Sequence, residues 1–347
     1  MKCVPSEPIV NTVGCASRQA LGRGTSLNRE ANTNKVVVPV GVTCAATLVQ
    51  VVLHGREGPW YPLSTIIHRP QLADPAFGYR LLLPMVARTL EYLVPRATDH
   101  NAFIAVQILV ITVMIYLCGA WTRLFLPGLG RPLGYLLATV MLVPTMNYWT
   151  FYDLAIVAFW SGCLLSLYYD RWLIYLIVFA FGILNHENIL LLTPVAVLYG
   201  LGRLRLPRLV AFAVVQLVLY AGLRYAVIHT VHGARLWDNH LRDNIFFWRV
   251  YSLRTLTFGW LALVPWWLLA LGGWRYAPKL LRCGCVALPG LLLVAVAFGR
   301  IEETRLFDAF IPVTIGLIAC WLKEESSQWM AMIPHRESAG QPVVTLS

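Results

Sequence analysis

From Val36 to Leu322 long apolar runs are broken by short polar stretches, and the runs recur at membrane-crossing length. A transmembrane helix needs about 20 mainly apolar residues, within a range of about 17–25. The pattern predicts spans at Val36–His54, Asn101–Ala120, Pro132–Met146, Tyr152–Tyr168, Trp172–Leu184, Ile189–Leu201, Leu209–Ile228, Leu256–Gly272, Cys283–Gly299 and Leu306–Leu322. A further stretch, Tyr79–Pro95, has helical spacing but carries Arg80, Arg88 and Glu91. Those charges suit a helix lying in the membrane plane, or re-entering it, better than one that crosses. The expected fold is therefore all-α, a polytopic transmembrane bundle of about 10 spans. Residues 36–322 would form the membrane domain, between a disordered tail over 1–35 and a second tail over 323–347. The first tail is polar and holds no apolar core of signal-peptide length.

Composition strengthens this reading. Hydrophobic residues make up 58% of the 347 positions and charged ones only 13%, against about 45–50% and about 25% in soluble domains. That excludes a soluble enzyme and a disordered chain. The net charge of +11 would suggest nucleic acid as partner in a soluble protein. In a membrane chain it reads as cytoplasmic loops obeying the positive-inside rule, with no nucleic acid implied. With a cytoplasmic N-terminus, the turns holding Arg123, Arg131, Arg171, Arg203, Arg205, Arg208, Arg275, Lys279 and Arg282 fall inside, and both termini are cytoplasmic. Nearly all acids outside the tails then fall on the external side, with Asp170 the exception. The eight cysteines show no metal-ligand spacing.

Four polar constellations interrupt the apolar pattern. The first external segment holds Asp74-Pro75, where Asp74 can cap a helix or act as a general base. Arg80 follows at the expected membrane surface, where its planar fork suits a phosphate. The second is the turn before Tyr152-Asp153, whose carboxylate favours a helix N-terminus or can bind a sugar hydroxyl. The third, Asn185-His186-Glu187-Asn188, lies between apolar segments too short to cross on their own. It predicts two short helices meeting at a polar turn below the outer surface. His186 and Glu187 alone are short of a metal site, so no metal or cofactor is expected. The fourth, Arg300 to Asp308, collects Arg300, Glu302, Glu303, Arg305 and Asp308. It reads as a surface salt-bridge knot or as an arginine pair gripping a lipid phosphate.

The order of these features, an acid in the first external loop, Tyr79-Arg80-Leu81-Leu82-Leu83-Pro84, Tyr152-Asp153, His186-Glu187 and a late Glu303-Thr304-Arg305, resembles bacterial membrane glycosyltransferases of the GT-C superfamily. The resemblance implies a multi-pass protein of the bacterial plasma membrane that takes sugar from a polyprenyl-phosphate donor. A glycan or lipid would accept it on the extracytoplasmic face. It implies Asp74 as the catalytic base and, by location, Arg80, Arg300 and Arg305 as ligands of the donor phosphate. Tyr79, Asp153, His186, Glu187 and Glu303 become candidate substrate contacts. The first loop has no paired acid, which departs from the family pattern. A transporter or lipid flippase, or a non-catalytic scaffold of cell-envelope assembly, is the alternative.

Overall fold

The computed structural model describes residues 36–53, 63–73, 78–145, 152–231, 241–246, 253–299 and 304–332. Every regular element among them is helical: α1 (Val36–Leu53), α2 (Leu63–His68), α3 (Leu82–Leu93), α4 (Asp99–Phe125), α5 (Gly130–Leu142), α6 (Asp153–Tyr168), α7 (Trp172–Asn185), α8 (Leu192–Gly200), α9 (Leu206–Thr230), α10 (Leu241–Ile245), α11 (Leu253–Gly273), α12 (Lys279–Gly284), α13 (Ala287–Phe298) and α14 (Ile311–Met332). Tighter 3₁₀ turns at Glu187–Leu191 and Thr304–Phe310 lead into α8 and α14. The protein is thus a multi-pass helical membrane protein. Five helical stretches are long and apolar enough to cross: Val36–Leu53, Asp99–Phe125, Leu206–Thr230, Lys279–Phe298 and Thr304–Gln328.

The apolar side chains on the outside are as telling as those within. On α9, Val214, Leu217 and Val218 are each at least half exposed, as are Leu109 and Tyr116 on α4. An apolar exterior of this kind suits lipid rather than water. One continuous core runs inside from Val37 to Cys320. The helix α6 lies within it, with Leu154, Val157, Trp160 and Cys163 buried on one side and Ala155, Ala158 and Ser166 on the other. A helix apolar on every side is enclosed by other helices; here these include α4, α7 and the Thr304–Phe310 turn.

Local sequence sets the helix ends. Thr98 caps α4, its hydroxyl oxygen accepting from Asn101 N at 3.3 Å, with Asp99 in the first turn to favour the helix dipole. At the other end Gly128 takes φ +86, and α5 turns back against α4. The two helices then meet closely. A Cβ on Gly119 would stand 2.1 Å from the Tyr135 ring, and one on Gly134 2.7 Å from the Cys118 carbonyl oxygen. Such small-residue contacts let membrane helices pack without a hydrophobic driving force between them. Buried polar ties add direction. Trp121 Nε1 donates to the Pro312 carbonyl at 2.8 Å, joining α4 to α14. The Tyr175 hydroxyl donates to Gln216 Oε1 at 2.8 Å, joining α7 to α9.

The stretch expected as a span from Cys283 falls within the candidate crossing Lys279–Phe298, which is built of two helices, α12 and α13, that meet at Cys285-Val286. The expected in-plane stretch forms α3, 12 residues long, or about 18 Å, short of a bilayer core. It buries Leu83, Pro84 and Ala87 against α4 and α2.

Candidate functional site

The site arises from unequal helix lengths. α5, α6 and α7 have 13, 16 and 14 residues, while α4 has 27. At one end of the bundle α4 and α6 are level: the Phe125 and Tyr168 rings lie 6.4 Å apart, and Cys118 Sγ lies 3.6 Å from Ser161 Oγ. Counting equal rises back from those contacts brings Asp153, the first residue of α6, level with about Val110, roughly 16 Å short of the start of α4. At this end α6 is thus recessed below the start of α4. α2 and α3 pack along the upper part of α4, and α3 also reaches α7, so the first polar segment lies over that recess.

Two ion pairs occupy it. Arg80, just ahead of α3, is buried and donates from Nη2 to Glu187 Oε1 at 3.2 Å. Its guanidinium also sits 5.5 Å from the centre of the Tyr152 ring, a cation–π distance. Arg80 Nε is buried and has no hydrogen-bond partner among the described residues. Glu187 is 38% exposed where Arg80 is 7%, so the carboxylate faces the open side and the guanidinium lies beneath. The second pair, Arg305 Nη1 to Asp153 Oδ2 at 3.3 Å, is buried on both sides. Beside it Asp308 is fully enclosed, its Oδ2 3.1 Å from the Thr145 hydroxyl.

The backbone explains how these side chains converge. α7 stops at Asn185 because His186 takes an extended conformation, φ −158 and ψ 137. The buried His186 Nδ1 accepts from Asn188 N at 3.2 Å and caps the turn that begins with Glu187. An accepting Nδ1 fixes the neutral ring with its proton on Nε2. Asn185 Nδ2 donates to the Tyr152 carbonyl at 3.0 Å. Tyr152 therefore links the two pairs: its ring carries Arg80, its carbonyl holds the α7 turn, and the next residue is Asp153. His186 thus caps the Glu187–Leu191 turn that leads into α8.

A third arginine enters from α9. Arg224 Nη1 donates to the Tyr79 carbonyl at 3.1 Å, and its guanidinium lies 5.9 Å from the Tyr79 ring centre. Sequence reasoning passed over it, although it is the one charge in the predicted span Leu209–Ile228, where an ionisable residue is costly without a purpose. Thr145 left no comparable signal.

No protein family, no curated protein and no solved structure matches this chain.

The structure thus gathers Tyr79, Arg80, His186 and Glu187 into one group and Asp153 and Arg305 into a second. Asp74, Arg300 and Glu303 lie outside the described residues. Arg305 is buried and paired with Asp153, 152 residues away in sequence. Chemically, the recess offers guanidiniums from three separate elements and a carboxylate partly open to solvent. It can hold an anion and place a polar group beside it.

Proposed function

We propose that the chain is a GT-C-like glycosyltransferase that moves a sugar from a lipid-phosphate donor to an acceptor hydroxyl. The observation that carries this reading is Arg80, buried at the base of the recess with only one nitrogen given to Glu187. Its unpartnered Nε leaves part of the planar fork for an anionic oxygen. A phosphate leaving group needs such donors, because negative charge develops on it as the glycosidic bond breaks. Arg80, Arg300 and Arg305 take that role in the proposal. Tyr79, Asp153, His186, Glu187 and Glu303 shape the pocket for sugar and acceptor.

Asp74 is the proposed base. It takes the proton of the acceptor hydroxyl as that oxygen attacks the anomeric carbon. The residues on either side of it support this assignment. Ala73 is buried in the same cluster as Tyr152, and Gly78 approaches so closely that a Cβ there would be 2.6 Å from the Pro70 carbonyl oxygen. The segment carrying Asp74 therefore begins and ends beside the Arg80 group. The finer topology belongs to the same proposal: about ten crossings, both termini cytoplasmic and the recess extracytoplasmic, in a bacterial plasma membrane.

The test is sugar transfer in proteoliposomes supplied with a polyprenyl-phosphate sugar. Asp74→Asn preserves volume and capping ability but accepts no proton near neutral pH. We expect a loss of about 10²–10⁴-fold at matched protein level. A folded Asp74→Asn protein with full activity would remove the base, and wild-type protein that neither binds the donor lipid nor transfers sugar would sink the transferase.

A further inference from the structure

Away from the paired arginines, three potential ligands converge from three helices. His68 ends α2, Glu91 lies in the last turn of α3 and Asp99 begins α4. His68 Nε2 is 3.2 Å from Glu91 Oε2 and 3.3 Å from Asp99 Oδ1. All three ligand atoms fall within 4.8 Å of one another.

We propose that His68, Glu91 and Asp99 form a binding site for one divalent transition-metal ion of the Zn²⁺ class. The site is independent of the transferase reading.

The spacing favours an ion over simple hydrogen bonding. Charge-assisted N–H···O bonds run at about 2.7–2.9 Å, and both contacts here are longer. A single Nε2–H shared between two carboxylates makes each bond weaker than an undivided one. Ligands on a tetrahedral Zn²⁺, with metal–ligand bonds of about 2.0–2.2 Å, stand roughly 3.4 Å apart. The observed separations need little adjustment to reach that figure. Glu91 supplies a second, independent sign: its other oxygen, Oε1, is buried and has no hydrogen-bond partner among the described residues.

The donor set selects the metal. One imidazole nitrogen with two carboxylates suits Zn²⁺, whereas Mg²⁺ and Ca²⁺ favour oxygen alone. Entry is open, since His68 and Asp99 are 39% and 35% exposed while Glu91 is 13%. Bound there, the ion ties the end of α2 and the last turn of α3 to the start of α4. It would thereby pin the segment that lies over the recess.

Metal-stripped full-length protein in detergent is titrated with Zn²⁺ alone, reading uptake against a chromogenic chelator and unfolding by intrinsic fluorescence. Wild type should take up one equivalent more than Glu91→Gln or His68→Gln. At 100 times Kd its Tm should rise by roughly 5 °C or more, with no such rise in the variants. Equal uptake and equal response in all three proteins would overturn the site, as would a response to Mg²⁺ matching that to Zn²⁺. X-ray absorption on Zn²⁺-loaded wild type needs no variant to fold. A shell of nitrogen and oxygen at about 2.0–2.1 Å supports the assignment, and a sulfur shell would transfer the metal to the cysteines.

Discussion

Arg305 and Asp153 face each other across 3.3 Å, their side chains only 9% and 5% exposed. Breaking a buried ion pair by removing one member destabilises by about 3–5 kcal/mol, whereas replacing both by apolar groups of similar volume is often neutral. Asp153→Ala should therefore lower thermal stability in detergent sharply, and Arg305→Met combined with Asp153→Leu should recover most of it. If the double variant is as unstable as the single one, the pair is not the source of the loss. Arg80 needs a different substitution. Lysine keeps the charge and can still meet Glu187, but it lacks the planar fork and the stacking face over Tyr152. Arg80→Lys should leave the unfolding temperature nearly unchanged and reduce transfer on the order of 10²-fold, the scale of losing one preorganised donor to the leaving group. Unaltered transfer would mean that Arg80 only holds Glu187.

Among the elements, α4 and α5 meet at small residues. Gly119→Ala puts a methyl 2.1 Å from the Tyr135 ring, so the ring or the helix must move, at a cost of about 1–3 kcal/mol. Gly222, in the middle of α9, has nothing within 4 Å of an added Cβ. There alanine only restricts the unfolded chain and should be neutral or stabilising by about 0.4–1 kcal/mol. Thermal unfolding of the two variants side by side should separate them in opposite directions. Similar shifts would show that the α4–α5 contact is not tight. The short α10 helix serves a local purpose. Its Asn244 Nδ2 lies within hydrogen-bond distance of the Ala295, Val296 and Gly299 carbonyls and closes the end of α13.

For the whole molecule, the two ends of the bundle differ in chemistry. The recess end carries two buried ion pairs and an enclosed acid. The other end carries exposed basic residues: Arg203 pairs with Asp170 at 3.0 Å and lies 4.2 Å from the Tyr199 ring centre, and Lys279 donates to the Tyr199 and Leu201 carbonyls. α1 begins at this basic end, since Gly41 lies beside Tyr135 while Val49 and Leu53 meet Ile104 and Ile108. Short loops rich in Arg and Lys stay in the cytoplasm, so the recess should face outward. Cysteines engineered as Leu204→Cys and Glu302→Cys test this with an impermeant thiol reagent in intact cells. Only position 302 should react, and labelling at 204 instead would invert the protein and place the recess in the cytoplasm.

The pattern of residues along the chain determined the class of structure. Apolar runs with charges confined to their ends permit little besides a helical membrane bundle, because backbone groups in lipid must bond within their own segment. The short-helix pair around His186-Glu187 was legible for the same reason: polar residues interrupted the run at a length too short to cross. Partners across the bundle were not legible. Glu187 meets Arg80 from 107 residues away and Asp153 meets Arg305 from 152, and no local spacing records either pairing. The recess follows from α6 being shorter than α4 while their far ends are level, a comparison that exists only once the two helices pack. The His68, Glu91 and Asp99 cluster has no ligand spacing in sequence. Its atoms converge because α2 and α3 fold back against the start of α4, and that three-helix contact is a property of the tertiary structure alone.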